Sequence, residues 1–138
     1  MSAAYVIDSS VGFAWIHPSQ ATDATNRLLD ELEAGAAIVV PVLWFSEIAN
    51  SLLVLQRRKK LTVAERKLAL ETLSKLTFTV DEEAGKAAFG KTSELAERYD
   101  LTVYDATYLE LALRRKLPLA SRDDALNAAA RKAGIKIF

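Results

Sequence analysis

The sequence predicts an α/β domain of three layers, with a central parallel sheet of four to five strands flanked by helices. Three observations carry this. Short, wholly apolar runs rich in β-formers recur along the chain, segments of helical periodicity separate them, and no repeat or linker interrupts the alternation. Strands apolar on both faces and joined by helical crossovers belong to parallel sheets covered on each side. Residues 1–138 are read as one domain, because a single core commonly serves up to about 150 residues. Half of the residues are hydrophobic, enough to fill such a core.

Ala4 to Ile7 (AYVI) reads as the first buried strand, ending at Asp8. Ser9 or Ser10 is placed to cap a short helix through Ile16, which Pro18 punctuates. Between Ala21 and Ala34, Ala24, Leu28, Leu29 and Leu32 recur at helical spacing, and Gly35 stops the helix. Ala37 to Val40 (AIVV) is the second strand, closed by Pro41. A helix from about Trp44 to Arg57 carries Ile48, Leu52 and Leu55 on one stripe. Thr62, with Glu65 three residues on, forms a capping box for a helix ending near Leu76. Phe78 to Val80 is the third strand, and Asp81 is expected to cap a long helix bearing Ala84, Ala87, Ala88, Leu95 and Ala96. Thr102 to Lys116 is the next helix, Leu119 and Ala120 a fourth strand, and Asp123 to Ala133 a last helix ended by Gly134. Ile135 to Phe138 reads as a terminal strand.

The absence of cysteine excludes disulfides and thiolate metal sites, and fits a reducing cytosol. Met1 to Tyr5 lacks the basic segment of a secretory leader. The longest apolar run, Ala36 to Phe45, is broken by Pro41 and falls short of the ~20 residues of a membrane span. A soluble cytoplasmic protein with no membrane partner is expected. Eighteen basic and eighteen acidic side chains cancel. Any contact with nucleic acid must therefore come from local charge or from metal ions.

In open parallel sheets the active site lies beyond the carboxyl ends of the strands. Asp8, Glu47, Asp105 and Asp123 all fall at that edge. Clustered carboxylates repel one another unless a cation neutralises them. An oxygen-only donor set, without Cys or a His cluster, selects Mg²⁺ or Mn²⁺ over zinc. The chemistry it serves best is phosphodiester hydrolysis, where a metal activates water and stabilises charge on the scissile phosphate. Each acid also has a plain reading. Asp8 and Asp123 can be helix caps, Glu47 a solvated helix residue, and Asp105 a partner of its helix dipole. Glu47 shares a helix face with Asn50 at i, i+3 spacing, which lets both point at one site.

The words VIDSSV at 6–11, VPVLWFSEIANSLL at 40–53 and YDATYLELALRRKLPLASRDDAL at 104–126 resemble the PIN domain, and within it the VapC-type toxins. The likeness runs from the first strand to the last helix. It implies a metal-dependent endoribonuclease acting on structured RNA. Asp8, Glu47, Asp105 and Asp123 match the family's four acids. By that likeness Asp8 and Asp105 are the principal Mg²⁺ ligands, and Glu47 and Asp123 hold a second ion directly or through water. Ser10 and Ser121 match positions where the family has Ser or Thr and are candidate donors to the ligands; Asn50 matches a recurring asparagine that would orient Glu47 or bind RNA. SRDDAL offers two adjacent acids where many relatives have one. Its spacing from Ser121 favours Asp123, with Asp124 the alternative. The resemblance further implies a homodimer and inhibition by a small cognate antitoxin protein.

A phosphatase of the haloacid-dehalogenase kind would carry a second aspartate two residues after the first, where Ser10 stands. No glycine-rich phosphate or dinucleotide loop is present. The rival from another class is a non-catalytic PIN-fold module that binds RNA or a protein. His17, the single histidine, has no partner for a zinc site and reads as a loop residue. Arg57 to Lys60 and Arg114 to Lys116 are basic runs that either favour a helix C-terminus or contact an RNA backbone. Trp15 and Trp44 lie near the proposed edge, where they could stack a base; Trp44 is better read as core.

Overall fold

The computed structural model describes residues 3–138, apart from the side chain of Pro18. Met1 and Ser2, which begin the segment read for a leader, lie outside them. Strands β1 (Ala4–Ile7), β2 (Ala37–Pro41), β3 (Phe78–Asp81) and β4 (Leu119–Ala120) form one wholly parallel sheet in the order β3-β2-β1-β4. The chain moves outward from β1 through β2 to β3, then returns across the sheet to place β4 on the other side of β1. The strand order therefore reverses between β1 and β4, and open sheets carry their crevice at such a switch point.

The helices follow the expected alternation. They are α1 (Ser9–Ile16), α2 (Asp23–Glu33), α3 (Leu43–Arg57), α4 (Val63–Ser74), α5 (Ala84–Ala87), α6 (Ser93–Tyr99), α7 (Val103–Arg115) and α8 (Asp124–Lys132). The capping box at Thr62 and Glu65 forms as read, and Thr22 makes a second one with Thr25. Gly35 and Gly134 end α2 and α8 at φ +108° and +88°, in the left-handed region that favours glycine. The central strands are buried, with Val6, Ile7 and Val40 at 0% exposure, and Trp44, Leu109, Leu111 and Leu126 pack against them from the helices.

Four expectations are corrected. Asp8, rather than Ser9 or Ser10, caps α1, its carboxylate accepting the Val11 N–H at 3.4 Å. Asp81 does not cap a helix. It closes β3 with a buried side chain, and its two oxygens accept Nη1 and Nη2 of Arg114, both at 2.8 Å, with Arg115 adding contacts at 3.1 and 3.2 Å. The helix expected after it is also broken, because a π-helical turn at Ala88–Thr92 separates α5 from α6. Gly85 and Gly90 flank and enter that turn, where their low helix preference weakens the regular ladder. The terminal strand shrinks to a single parallel bridge between Leu119 and Ile137. β4 is two residues long and can offer no longer ladder.

Arg114 and Arg115 lie in the last turn of α7, as the helix-end reading expects, but they are paired rather than solvated. Both guanidiniums are tied to buried Asp81, and Arg114 also holds buried Glu110 four residues back, at 2.9 Å. This pins α7 to the end of β3. Trp44 is core, as expected, at 1% exposure. Trp15 donates its indole N–H to the Thr25 carbonyl at 3.0 Å, joining α1 to α2. His17 ends α1 and bonds Ser19 through Nδ1 at 2.8 Å.

Candidate acidic centre at the carboxyl edge of the sheet

Asp8 sits at the switch point between β1 and β4. Its N–H continues the sheet by donating to the Ala120 carbonyl at 3.1 Å, and its own carbonyl accepts the Trp44 indole N–H at 3.1 Å. The side chain, buried with its residue at 4% exposure, takes a hydroxyl at each oxygen. Ser10 donates to Oδ1 at 2.5 Å and Ser121 donates to Oδ2. These donors cannot easily turn away. The Ser10 hydroxyl oxygen accepts the Arg122 N–H at 2.9 Å, and that of Ser121 accepts the Asp123 N–H at 2.9 Å. With their acceptor sides engaged by backbone, both hydroxyl protons face Asp8. The carboxylate is thereby fixed in part by a residue 113 positions away in the sequence.

Glu47 projects from the second turn of α3, half-buried, and its carboxylate accepts the hydroxyl of Tyr108 on α7. Tyr108 is 1% exposed. Asp105 lies in the first turn of α7, where its N–H donates to the capping Thr102 Oγ1 at 3.0 Å. Asp123 caps α8, accepting the Leu126 N–H at 2.8 Å, and is exposed. The plain reading of Asp8 and Asp123 as helix caps is borne out, and both caps stand at the sheet edge.

Electrostatics links the four. Burial pushes the Asp8 carboxyl up, against the pull of its Ser10, Ser121 and Val11 bonds, and the Asp105 charge adds to the rise. Burial also raises Glu47, the Tyr108 bond opposes it, and Asp105 and Asp8 raise it further. Asp105 is raised by burial and then by the charge of Asp123, with Thr102 lowering it. Asp8, Glu47 and Asp105 each feel at least one other acid. Tyr108 is itself driven far above the ordinary tyrosine range by burial and by Glu47, so it serves as a fixed donor rather than a base.

Among the described residues, no three acidic or histidine side chains converge to ligating distance of one point. The donor set nevertheless suits a hard divalent ion. It is all oxygen, partly desolvated and mutually repelling. The nearby arginines of α7 do not compensate it, because Arg114 and Arg115 are consumed by Asp81 and Glu110.

Asn50 is exposed one turn after Glu47 and makes no hydrogen bond to it. The partner of Glu47 is Tyr108, which sequence reading missed. Its signal was present in YDATYLELA, where Tyr108 falls three residues after Asp105 on the same helix face. Asp124 opens onto a different cavity, of about 270 Å³, bordered by Thr22, Thr25, Leu28 and Asn127. Of the pair, it is Asp123 whose charge acts on Asp105.

The chain belongs to the PIN-domain family, whose model matches residues 5–132. Its fold is similar to that of PAE2754 from Pyrobaculum aerophilum, with a TM-score of 0.70 at 21% identity over 95% of this chain and 87% of that one. It is also similar to VapBC2 from Rickettsia felis bound to a DNA fragment from their promoter (TM-score 0.68, 12% identity, 98% and 97% covered). FitAcB from Neisseria gonorrhoeae gives a TM-score of 0.67 at 18% identity, covering 97% and 96%. No curated protein matches the chain in sequence.

Proposed function

We propose that this PIN domain is a metal-dependent endoribonuclease, the toxin of a type II toxin–antitoxin pair, hydrolysing structured RNA through Asp8, Glu47, Asp105 and Asp123. The observation that carries the assignment is the half-buried or buried set of Asp8, Glu47 and Asp105 at the carboxyl edge of the sheet, each raised by burial and by the charge of another acid, with Asp123 acting on Asp105. A structural cap or a solvated acid has no need to be gathered with three others. Family membership supports a nuclease. The VapC-type sequence words, together with the likeness of the fold to VapBC2, support the toxin role.

Asp8 and Asp105 would be the principal ligands of Mg²⁺, with Mn²⁺ able to substitute, and Glu47 and Asp123 would complete the set. When bound, the ion supplies charge neutralisation and the Lewis acidity that makes water nucleophilic and steadies the scissile phosphate. Ser10 and Ser121 keep Asp8 aimed and favour its ionised form. Tyr108 holds one oxygen of Glu47 and leaves the other to the site. Attack by water in line with the leaving 3′ oxygen yields 5′-phosphate and 3′-hydroxyl ends. Asn50, exposed beside Glu47, is assigned to the RNA side of the site. Residues 1–138 act as one nuclease domain, in the cytoplasm, as a homodimer restrained by a small antitoxin; no helix of the described residues is long and apolar enough to cross a membrane.

The test is incubation of antitoxin-free protein with a pool of labelled structured RNAs in Mg²⁺ or Mn²⁺ and then in chelator, beside Asp8→Asn and Asp105→Asn. Metal-dependent cuts lost in both variants are expected. Products ending in 2′,3′-cyclic phosphate would overturn hydrolysis by water. Neither cutting nor metal binding would leave the non-catalytic binding module.

A further inference from the structure

Beside the acids, on the side of α1, lies a cavity of about 320 Å³ lined by Ser9, Ser10, Phe13, Gln20, Ser51 and Arg122. No carboxylate lines it, and Arg122 is its one charged residue. Its wall is nonetheless built from neighbours of the acidic centre. Ser9 and Ser10 follow Asp8, Ser51 is one helical turn after Glu47, and Arg122 precedes Asp123. A hollow whose one charged residue is basic thus lies beside the acidic centre.

The state of Arg122 sets it apart from the arginines of α7. Its guanidinium Nη1 donates to Gln20 Oε1 at 2.7 Å, a neutral partner, and among the described residues it forms no ion pair. Its backbone N–H, bonded to Ser10 Oγ, fixes the residue to the same clamp that holds Asp8. Arg122 therefore presents an uncompensated charge on a registered stretch of backbone, with guanidinium donors left over. Four carboxylates repel a polyanion, and a cation beside them is what lets a nucleic-acid backbone approach.

We infer that Arg122, with Gln20 and the hydroxyl of Ser51, forms a phosphate subsite that takes a backbone phosphodiester of the RNA next to the scissile one. This rests on the nuclease assignment above. The planar guanidinium matches phosphate geometry, and the amide of Gln20 parks it over the cavity without cancelling its charge.

The experiment is fluorescence anisotropy of a labelled, mixed-sequence single-stranded RNA protected from hydrolysis by phosphorothioate linkages, which keep the backbone charge. It is titrated in Mg²⁺ across a salt series with wild type, Arg122→Gln and Gln20→Ala, alongside melting curves and wild-type cleavage of ordinary RNA. Arg122→Gln should bind about tenfold more weakly and lose roughly one phosphate's share of the salt dependence, with unchanged melting. Gln20→Ala, which keeps the charge, should bind as well as wild type or better. Equal affinity and salt slope for Arg122→Gln and wild type would overturn the subsite while cleavage left the nuclease standing. So would a loss in Gln20→Ala as large as in Arg122→Gln, or a lowered melting point of Arg122→Gln, since either makes the pair structural. Wild type that neither binds nor cuts RNA would remove both assignments.

Discussion

Tyr108 and Glu47, 61 residues apart in the sequence, share a hydrogen bond that joins α7 to α3 at the acidic edge of the sheet. The hydroxyl belongs to a side chain at 1% exposure, so the donor arrives on a rigid support. A donor to the ionised form lowers a carboxyl pKa, and here that bond opposes the rise that burial and the charges of Asp105 and Asp8 impose on Glu47.

Tyr108→Phe removes the donor and keeps the ring. Glu47 should then protonate at a higher pH and lose its fixed orientation. On the nuclease assignment, cleavage should fall by about tenfold or more, as for other groups that orient a metal ligand. The acid limb of the pH–rate profile should move upward, while melting shifts only by the loss of about one hydrogen bond, ~1 kcal/mol. An unmoved acid limb would show that Tyr108 contributes packing alone.

Gly12 carries a second dependence of the centre on packing. A Cβ placed there would lie 2.4 Å from Trp44 Cζ2 and 2.6 Å from Ile48 Cδ1, far inside contact distance. Trp44 is buried and its indole N–H holds the Asp8 carbonyl, so it cannot yield without disturbing β1's end. Gly12→Ala should cost about 1–3 kcal/mol in denaturant unfolding, as overpacking does. It should also perturb Trp44 fluorescence. A neutral result would mean that α1 lifts from α3 at little cost.

Much of the centre was legible because its acids obey local rules. Asp8 and Asp123 follow apolar strand-forming runs, and Asp105 follows a capping Thr102, so each could be placed at a strand end or helix start from its neighbours. Thr62 with Glu65 and the apolar words AYVI and AIVV were legible for the same reason. What escaped was non-local. An isolated aspartate before a helix looks like a cap, and only the fold brings Arg114 and Arg115, over thirty residues away, onto Asp81. Tyr108 reads as core by type and is core by burial, yet its hydroxyl serves Glu47 on another helix. Pairings of this kind have no period to betray them.

The Asp81 tie should be among the costliest to break. Its side chain is fully buried and accepts two arginines in a fork, while Arg114 also satisfies buried Glu110. Removing one partner of a buried pair strands the charge of the others. Asp81→Ala should cost roughly 3 kcal/mol by chemical denaturation. Adding Arg114→Ala to it should cost less than the sum of the two single changes, because the guanidinium is then no longer left half-satisfied. Simple additivity would show that the pair is not coupled.

The pH dependence of the metal-free protein follows from two opposed sets of carboxylates. Asp8, Glu47 and Asp105 have folded pKa values raised above their unfolded ones, so between those values the folded state binds more protons. Stability must then rise as pH falls from neutrality through the raised values, because protonation relieves charge that burial and repulsion disfavour. Asp81 runs the other way. The Arg114 bonds hold its carboxyl below the usual aspartate range, so its contribution is full above that range and is lost as pH falls through its folded value. Melting temperature without metal should therefore climb on mild acidification, peak near the ordinary carboxylate range, and drop in stronger acid as the Asp81 tie fails. Asp8→Asn should flatten the climb and leave the acid drop in place. Added Mn²⁺ should stabilise most at neutral pH, where the three acids are ionised, and lose its effect as they protonate. A melting profile level from neutrality down to the ordinary carboxylate range would contradict the crowding of these acids in solution.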